Sequence, residues 1–301
     1  MPVYGKNRIL HCDHFSMFEI ASVLAALFVT FSAFSHEDSA EAQYLGNEGV
    51  LVSHGDLKVL FDAFYDNSYE TYVLVASPTR SAMMAGIAPY NGVDALIISH
   101  VHGDHFSPAP TLAYLRAQSA VHLYGSVQVV DAVLKLAGKQ DAELVARLHA
   151  LKLKPGDAAI TLNLGEIEIE AIAIPHSGGA RMASVTNLLF RVDLDGFPVV
   201  MHMGDSDPID AEFARQQKFL DRKHTHTAFP PYWFLGLDRG EEILTKRIKP
   251  DKVIGIHVPE VALGQGDEWR EKAGGDLFTD PGESRGIGKM GKMGSESINF
   301  D

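Results

Sequence analysis

Four side chains able to hold a metal ion fall within six consecutive positions: His100, His102, Asp104 and His105. Imidazole nitrogen and carboxylate oxygen are the donors that divalent transition ions prefer, zinc above all. The spacing has a mechanical consequence. The apolar run Ala95–Ile98 reads as a buried strand that stops at Ser99, and two histidines one residue apart at the end of an extended segment point the same way. Gly103 permits a sharp turn, after which Asp104 and His105 can face a second ion. A polar loop that happens to be rich in histidine is the bland alternative. Four donors directly after a buried strand argue against it.

The elements that must position this loop can be read from hydrophobic period and turn residues. Two β-type runs, Val50–Ser53 and Leu57–Phe64, flank a His54-Gly55-Asp56 turn and predict a hairpin. Helices are expected over Arg80–Ile87, Thr111–Gln118, Asp141–His149, Pro208–Gln217 and Arg239–Ile248, with Ser126 capping another through Leu136. Further strands are expected over Val121–Tyr124, Ala159–Leu162, Ile167–Ile174, Thr186–Asp193, Pro198–Met203 and Lys252–Ile256, with a short one at Ala228. Three of these runs end on a residue of interest: Ile174 leads to Pro175-His176, Met203 to Gly204-Asp205, and Ile256 to His257. Loops at one edge of a sheet sandwich are where a cleft forms.

The pattern His-x-His-x-Asp-His after a hydrophobic strand resembles the signature of the metallo-β-lactamase superfamily. Further anchor points match in order: His176 in Ile-Pro-His-Ser-Gly-Gly, Asp205 in His-Met-Gly-Asp-Ser-Asp, and His257 in Val-Ile-Gly-Ile-His-Val-Pro, so the resemblance spans about residues 45–260. It implies an α/β fold, the αββα four-layer sandwich. It also implies that His100, His102 and His176 hold one divalent ion, that Asp104, His105 and His257 hold a second, and that Asp205 bridges them. Asp104, His105 and Asp205 are the catalytic candidates. The activity implied is hydrolysis of an ester, lactone, amide or similar bond of a small molecule by a hydroxide bound to two metals. Zinc is the first choice, with manganese or iron also compatible. Diiron members of the family typically carry glutamate at the second histidine and lack the histidine after the aspartate, so His102 and His105 favour hydrolysis over redox chemistry. A phosphodiesterase or nuclease of the same fold, and a metal-binding protein without catalysis, are the alternatives.

Composition narrows the class of partner. In 301 residues the apolar share is 46% and the charged share 22%, ordinary for a globular chain. The net charge of −13 argues against nucleic acid, whose phosphates want a basic surface. At the N-terminus, Lys6 and Arg8 precede an apolar run from Ile20 to Ser35, followed by Ala40-Glu41-Ala42. That is the pattern of a secretory signal peptide over residues 1–42, too short to span a bilayer, which needs about 20 apolar residues. The expectation is an exported hydrolase domain over 43–260 with no stable membrane span once the leader is cleaved, membrane-anchored otherwise. The single cysteine, Cys12, lies in the leader, which leaves the remainder without disulfides or a thiol nucleophile. Residues 261–301 are rich in glycine and poor in apolar residues, and read as a loosely ordered tail or a flap over the substrate.

Secondary candidates carry weaker signals. Asp62 can support a ligand histidine. His202 can lie in the core or near the site. His54 and His149 read as a turn residue and a surface residue, and the His224-x-His226 spacing lacks an accompanying carboxylate. The aromatic segment Phe229–Phe234 can be core or substrate pocket. Ser177-Gly178-Gly179 offers backbone amides to an anionic oxygen, while Ser99 and Ser177 are structural rather than nucleophilic.

Overall fold

A computed structural model describes Met1 and residues 40–288. The expected leader lies outside the described residues except for Met1 and its last three positions, as do residues 289–301 of the expected tail.

Thirteen strands are present among the described residues: β1 (Glu41–Gly46), β2 (Gly49–His54), β3 (Leu57–Phe61), β4 (Ala95–Ile98), β5 (His122–Ser126), β6 (Leu148–Leu151), β7 (Ile160–Leu164), β8 (Ile167–Ala173), β9 (Leu188–Leu194), β10 (Val199–His202), β11 (Thr227–Phe229), β12 (Lys252–Val253) and β13 (Ser284–Gly286). They form a seven-stranded sheet, β13-β1-β2-β3-β4-β5-β6, and a six-stranded sheet, β12-β11-β10-β9-β8-β7. Hairpins build the antiparallel parts, and crossovers make β3 to β6 parallel. The helices are α1 (Ser77–Ala85), α2 (Pro108–Ala117), α3 (Val127–Leu134), α4 (Ala142–Val145), α5 (Asp210–Arg215), α6 (Gln217–Leu220), α7 (Asp238–Glu242) and α8 (Gly266–Ala273).

Side-chain alternation explains the layers. In β3 and β4, Val59, Phe61, Ala95 and Ile97 face the second sheet, where Ala171, Ala173 and Phe190 meet them. Their neighbours Leu60, Leu96 and Ile98 point the other way, onto Met83, Leu115 and Val129 of α1, α2 and α3. On the outer face of the second sheet, Ile172, Leu189 and Met201 pack on Phe213 of α5 and Phe219 of α6. Each central strand is buried on both faces, against the opposite sheet on one side and helices on the other. The result is the expected αββα sandwich.

Two expectations are overturned. The periodicity over Asp141–His149 predicts one helix, but only Ala142–Val145 is α-helical and His149 lies in β6. Parallel pairing with β5 recruits Leu148–Leu151 and outweighs the local pattern. There His149 stacks on Tyr124 and places Nε2 2.9 Å from Nδ1 of His122.

Residues 261–288 are not a loose tail. They contain α8 and β13, and they bury Leu277, Phe278 and Ile287. Phe278 stacks on Tyr44 of β1 at 5.3 Å, and β13 pairs with Glu41–Gln43. Several of the glycines serve geometry rather than looseness: Gly274 ends α8 in the left-handed region, where glycine carries no Cβ penalty. The expected cleavage point before Gln43 falls inside β1, whose Ala42 is fully buried and opposite Val52.

Candidate metal centre

The donor loop begins where β4 stops. The backbone amide of Ser99 donates to Asp62 Oδ1 at 2.8 Å, and its hydroxyl donates to Asp62 Oδ2 at 2.5 Å. The next residues turn tightly, His105 N and Phe106 N both donating to His102 O. Gly103 does not use a positive φ here. Space is tight instead: a Cβ would sit 3.0 Å from Asn67 Cβ, so Asn67 would have to give way. Gly204, just before Asp205, has φ +51 and leaves no room for a Cβ, which would sit 2.8 Å from Ser99 Cβ. The His176 and Asp205 segments are zipped by Ser177 N donating to Asp205 O at 2.7 Å and Asp207 N to Pro175 O at 2.8 Å. His257 has φ +63, a conformation rare for a side-chain-bearing residue and concentrated at functional positions.

These segments bring all seven candidate donors together in two groups. In the first, His100 Nε2, His102 Nδ1 and His176 Nε2 are 3.0–3.3 Å from one another. Neutral imidazoles carry one N–H each, and three nitrogens converging on one point cannot all be satisfied by hydrogen bonds among themselves. In the second, His105 Nε2 and His257 Nε2 lie 3.6 and 3.5 Å from Asp104 Oδ2, and 3.3 and 3.1 Å from Asp205 Oδ1. Tetrahedral donors about 2.0–2.1 Å from zinc are about 3.3–3.4 Å apart, so both groups have the spacing a cation requires. Asp205 links them: Oδ2 lies 3.2 Å from His176 Nε2 in the first group, while Oδ1 serves the second.

Several donor atoms also lack a hydrogen bond of ordinary geometry. His105 Nε2, Asp205 Oδ1 and both ring nitrogens of His257 are buried with no hydrogen-bond partner, an expensive arrangement unless something else satisfies them. The residues therefore fit a divalent cation at each group.

The electrostatics follow from burial and crowding. Burial, then His105, pushes His100 well below the ordinary imidazole range, and burial with His176 lowers His102. Burial would also lower His257 and His105, but Asp205 and Asp104 outweigh it, holding His257 up at about 10 and His105 well above its usual value. Burial opposes ionisation of Asp205, yet His257 and His105 keep its carboxyl well below the usual range.

Supporting residues surround the donors. Asp62 Oδ2 accepts from His105 Nδ1 at 2.9 Å, turning Nε2 toward the cluster, the role expected of it. His202 is buried, stacks on Phe61 at 4.8 Å, and places Nε2 3.0 Å from Glu48 O. It is a core residue against the β1–β2 turn. His54 ends β2 at the expected turn. His224 pairs with Asp251 and His226 accepts from Val199 N, and neither joins a donor group. The Phe229–Phe234 segment divides: Phe229 and Phe234 are core, while Tyr232 and Trp233 are part-exposed and Trp233 faces His257.

Three further residues meet the donors. Asn47 in the β1–β2 turn donates to Asp104 O at 2.9 Å while its carbonyl accepts from His257 N, so one turn ties together donors 153 positions apart. Glu48 beside it is fully buried without a side-chain hydrogen bond, its Oε2 lying 3.5 Å from His105 Nδ1 and 3.7 Å from His202 Nε2, and burial pushes its carboxyl well above the usual range. Tyr72 sets its ring 4.3 Å from that of His257. No local pattern marks a lone residue in a loop, so none of the three was visible in the sequence.

The family model described as a beta-lactamase superfamily domain matches residues 58–222, more than half of the chain, and the chain belongs to that superfamily. No curated protein matches the sequence. Among solved structures, similar folds include Igni18, a metallo hydrolase from Ignicoccus hospitalis, at 14% identity and TM-score 0.51, covering 82% of this chain and 97% of that one. The isothiocyanate hydrolase from Delia radicum gut bacteria has 14% identity and TM-score 0.52, covering 83% and 100%. A variant of the CmlA beta-hydroxylase has 16% identity and TM-score 0.51, covering 82% and 53%. At these identities the likeness is one of fold, and the fold alone does not choose a reaction. Among the described residues, no helix is long and apolar enough to cross a membrane.

Proposed function

We propose that the chain is a metal-dependent hydrolase of a small molecule, with two divalent cations held by the seven donors. His100, His102 and His176 would hold one and Asp104, His105 and His257 the other, with Asp205 between them. The observation that carries this reading is the division of the Asp205 carboxylate, one oxygen toward each group. When bound, the pair of cations supplies an acidified water and polarisation of the bond under attack. The protein's part is to aim the donors: Asp62 orients His105, Asn47 braces Asp104, and the zipped His176 and Asp205 segments fix the rest. Three imidazoles at one position suit zinc, and the carboxylate-richer second position also accommodates manganese or iron.

An ester, lactone, amide or similar bond is the substrate class. Among the described residues, the ion pairs made by Asp62, Asp104, Asp205 and Glu48 are all to histidine. Together with the charge of −13, this disfavours a phosphodiesterase or nuclease. The apolar run Ile20–Ser35 supports export of the domain, which N-terminal sequencing of the protein from its source would test.

Metal analysis of the purified full chain, coupled to a panel of esters, lactones, amides and phosphodiesters, tests the proposal. Turnover with stoichiometric divalent metal is expected, and its loss in folded His102→Ala and Asp104→Ala chains. Turnover retained in both variants refutes the ligand assignment. Stoichiometric metal with every substrate class inert identifies a metal-binding protein without catalysis.

A further inference from the structure

The second donor group lies against aromatic rings that the ligand chemistry does not require. Tyr72 meets the His257 ring edge-on at 4.3 Å and 80°, and Trp233 meets it at 5.1 Å and 68°. Both rings are held in place. The Trp233 indole donates to Ser206 O at 3.2 Å, directly after Asp205. The Tyr72 segment is laced to the chain beyond His257, through a bridge to Pro259 and Glu260 N donating to Thr71 O at 2.7 Å. The surface extends outward, with Tyr232 5.6 Å from Trp233 and Trp269 6.1 Å from Tyr232. Over the histidine loop, the exposed Tyr69 accepts from Gly103 N. Tyr72, Tyr232, Trp233 and Trp269 are neither buried nor fully exposed, so part of each side chain is accessible.

We propose that Tyr72 and Trp233 form an aromatic wall beside the second donor group that seats an aryl or comparably apolar arm of an uncharged carbonyl substrate, and so determine specificity. The proposal rests on the hydrolase reading above and narrows its substrate class. Fixed aromatic faces favour planar apolar groups. Among the described residues, the carboxylates of the donor cluster pair with histidine rather than with lysine or arginine, a setting that suits an uncharged substrate better than a charged phosphodiester.

The test uses the full chain loaded with zinc. Steady-state kinetics on phenyl acetate and methyl acetate should show Trp233→Ala raising KM for the phenyl ester about tenfold, with kcat changed less than about twofold and the methyl ester little affected. Trp233→Phe, which keeps a ring, should recover most of the loss. A binding readout independent of turnover comes from a Trp269→Phe chain, in which Trp233 is the sole tryptophan. Phenylacetamide should perturb its fluorescence where acetamide does not, and adding Tyr72→Ala should weaken that response about tenfold. Equal KM ratios in wild type and Trp233→Ala would overturn the wall, and faster turnover of bis(4-nitrophenyl) phosphate than of the phenyl ester would overturn the uncharged carbonyl class, each while leaving hydrolysis intact. A chain that binds phenylacetamide through Trp233 yet hydrolyses nothing would instead sink the hydrolase reading and spare the wall.

Discussion

Asp205 has its carboxylate shared between two histidine-bearing groups, and Asp62 aims one of those histidines from behind. A ligand whose far nitrogen loses its acceptor becomes a poorer and less directed donor. Asp62→Asn should therefore lower metal affinity about 10–100-fold, measured by competition with a chelator, while the chain stays folded. Unchanged affinity would show that Asp62 serves only Ser99. Protons give a second prediction at this scale. In the metal-free chain His257 is held up at about 10 and His105 well above its usual value, so both carry protons at neutral pH. A raised imidazole contributes stability that is fully present below its ordinary value, 6.5, and is lost as pH rises through about 10. The metal-free chain should thus lose urea resistance between pH 7 and 10, and His257→Asn should flatten that limb. Divalent metal must displace the same protons, so calorimetry at pH 7 in buffers of different ionisation enthalpy should detect proton release. Buffer-independent heats would contradict this.

Elements explain why the site could be read at all. Every donor follows a strand: β4 delivers the histidine loop, β8 His176, β10 Asp205, and the chain after β12 His257. The hydrophobic runs were visible in the sequence because each central strand is buried, and the donors stood out because they follow those runs. What stayed hidden depends on contacts between distant elements. Asn47 and Glu48 belong to a turn whose burial arises only when β10 and the His257 segment close over it. The local pattern places His149 in a helix because its pairing partner, β5, lies more than twenty residues away. Gly103 and Gly204 illustrate close approach. Gly204→Ala places a side chain against Ser99 in a left-handed conformation, and should cost about 1–3 kcal/mol of stability with a larger proportional loss of metal affinity. Thermal melts with and without zinc would check both, and an unshifted melting temperature would contradict the steric argument.

At the scale of the whole molecule, two sheets share one core, and the segment after the last donor completes the first sheet. Composition alone hid that segment's role, since Leu277, Phe278 and Ile287 are few among many glycines yet all are buried. Arg270 and Arg285 add ion pairs to Glu283 and Asp276. Removing residues 283–301 would strip β13 from β1, uncover an edge strand and delete both Glu283 and Ile287. The truncated chain should melt several degrees lower and aggregate at concentrations the full chain tolerates. Equal melting and solubility would mean that the β1 edge needs no cover.

The central claim is that two cations flank one carboxylate. Anomalous diffraction from crystals of the full chain grown with zinc, recorded on both sides of the zinc absorption edge, tests it most directly. Two peaks are predicted, one among His100, His102 and His176 and the other among Asp104, His105 and His257, with Asp205 between them. A single peak, or peaks away from Asp205, would contradict the account.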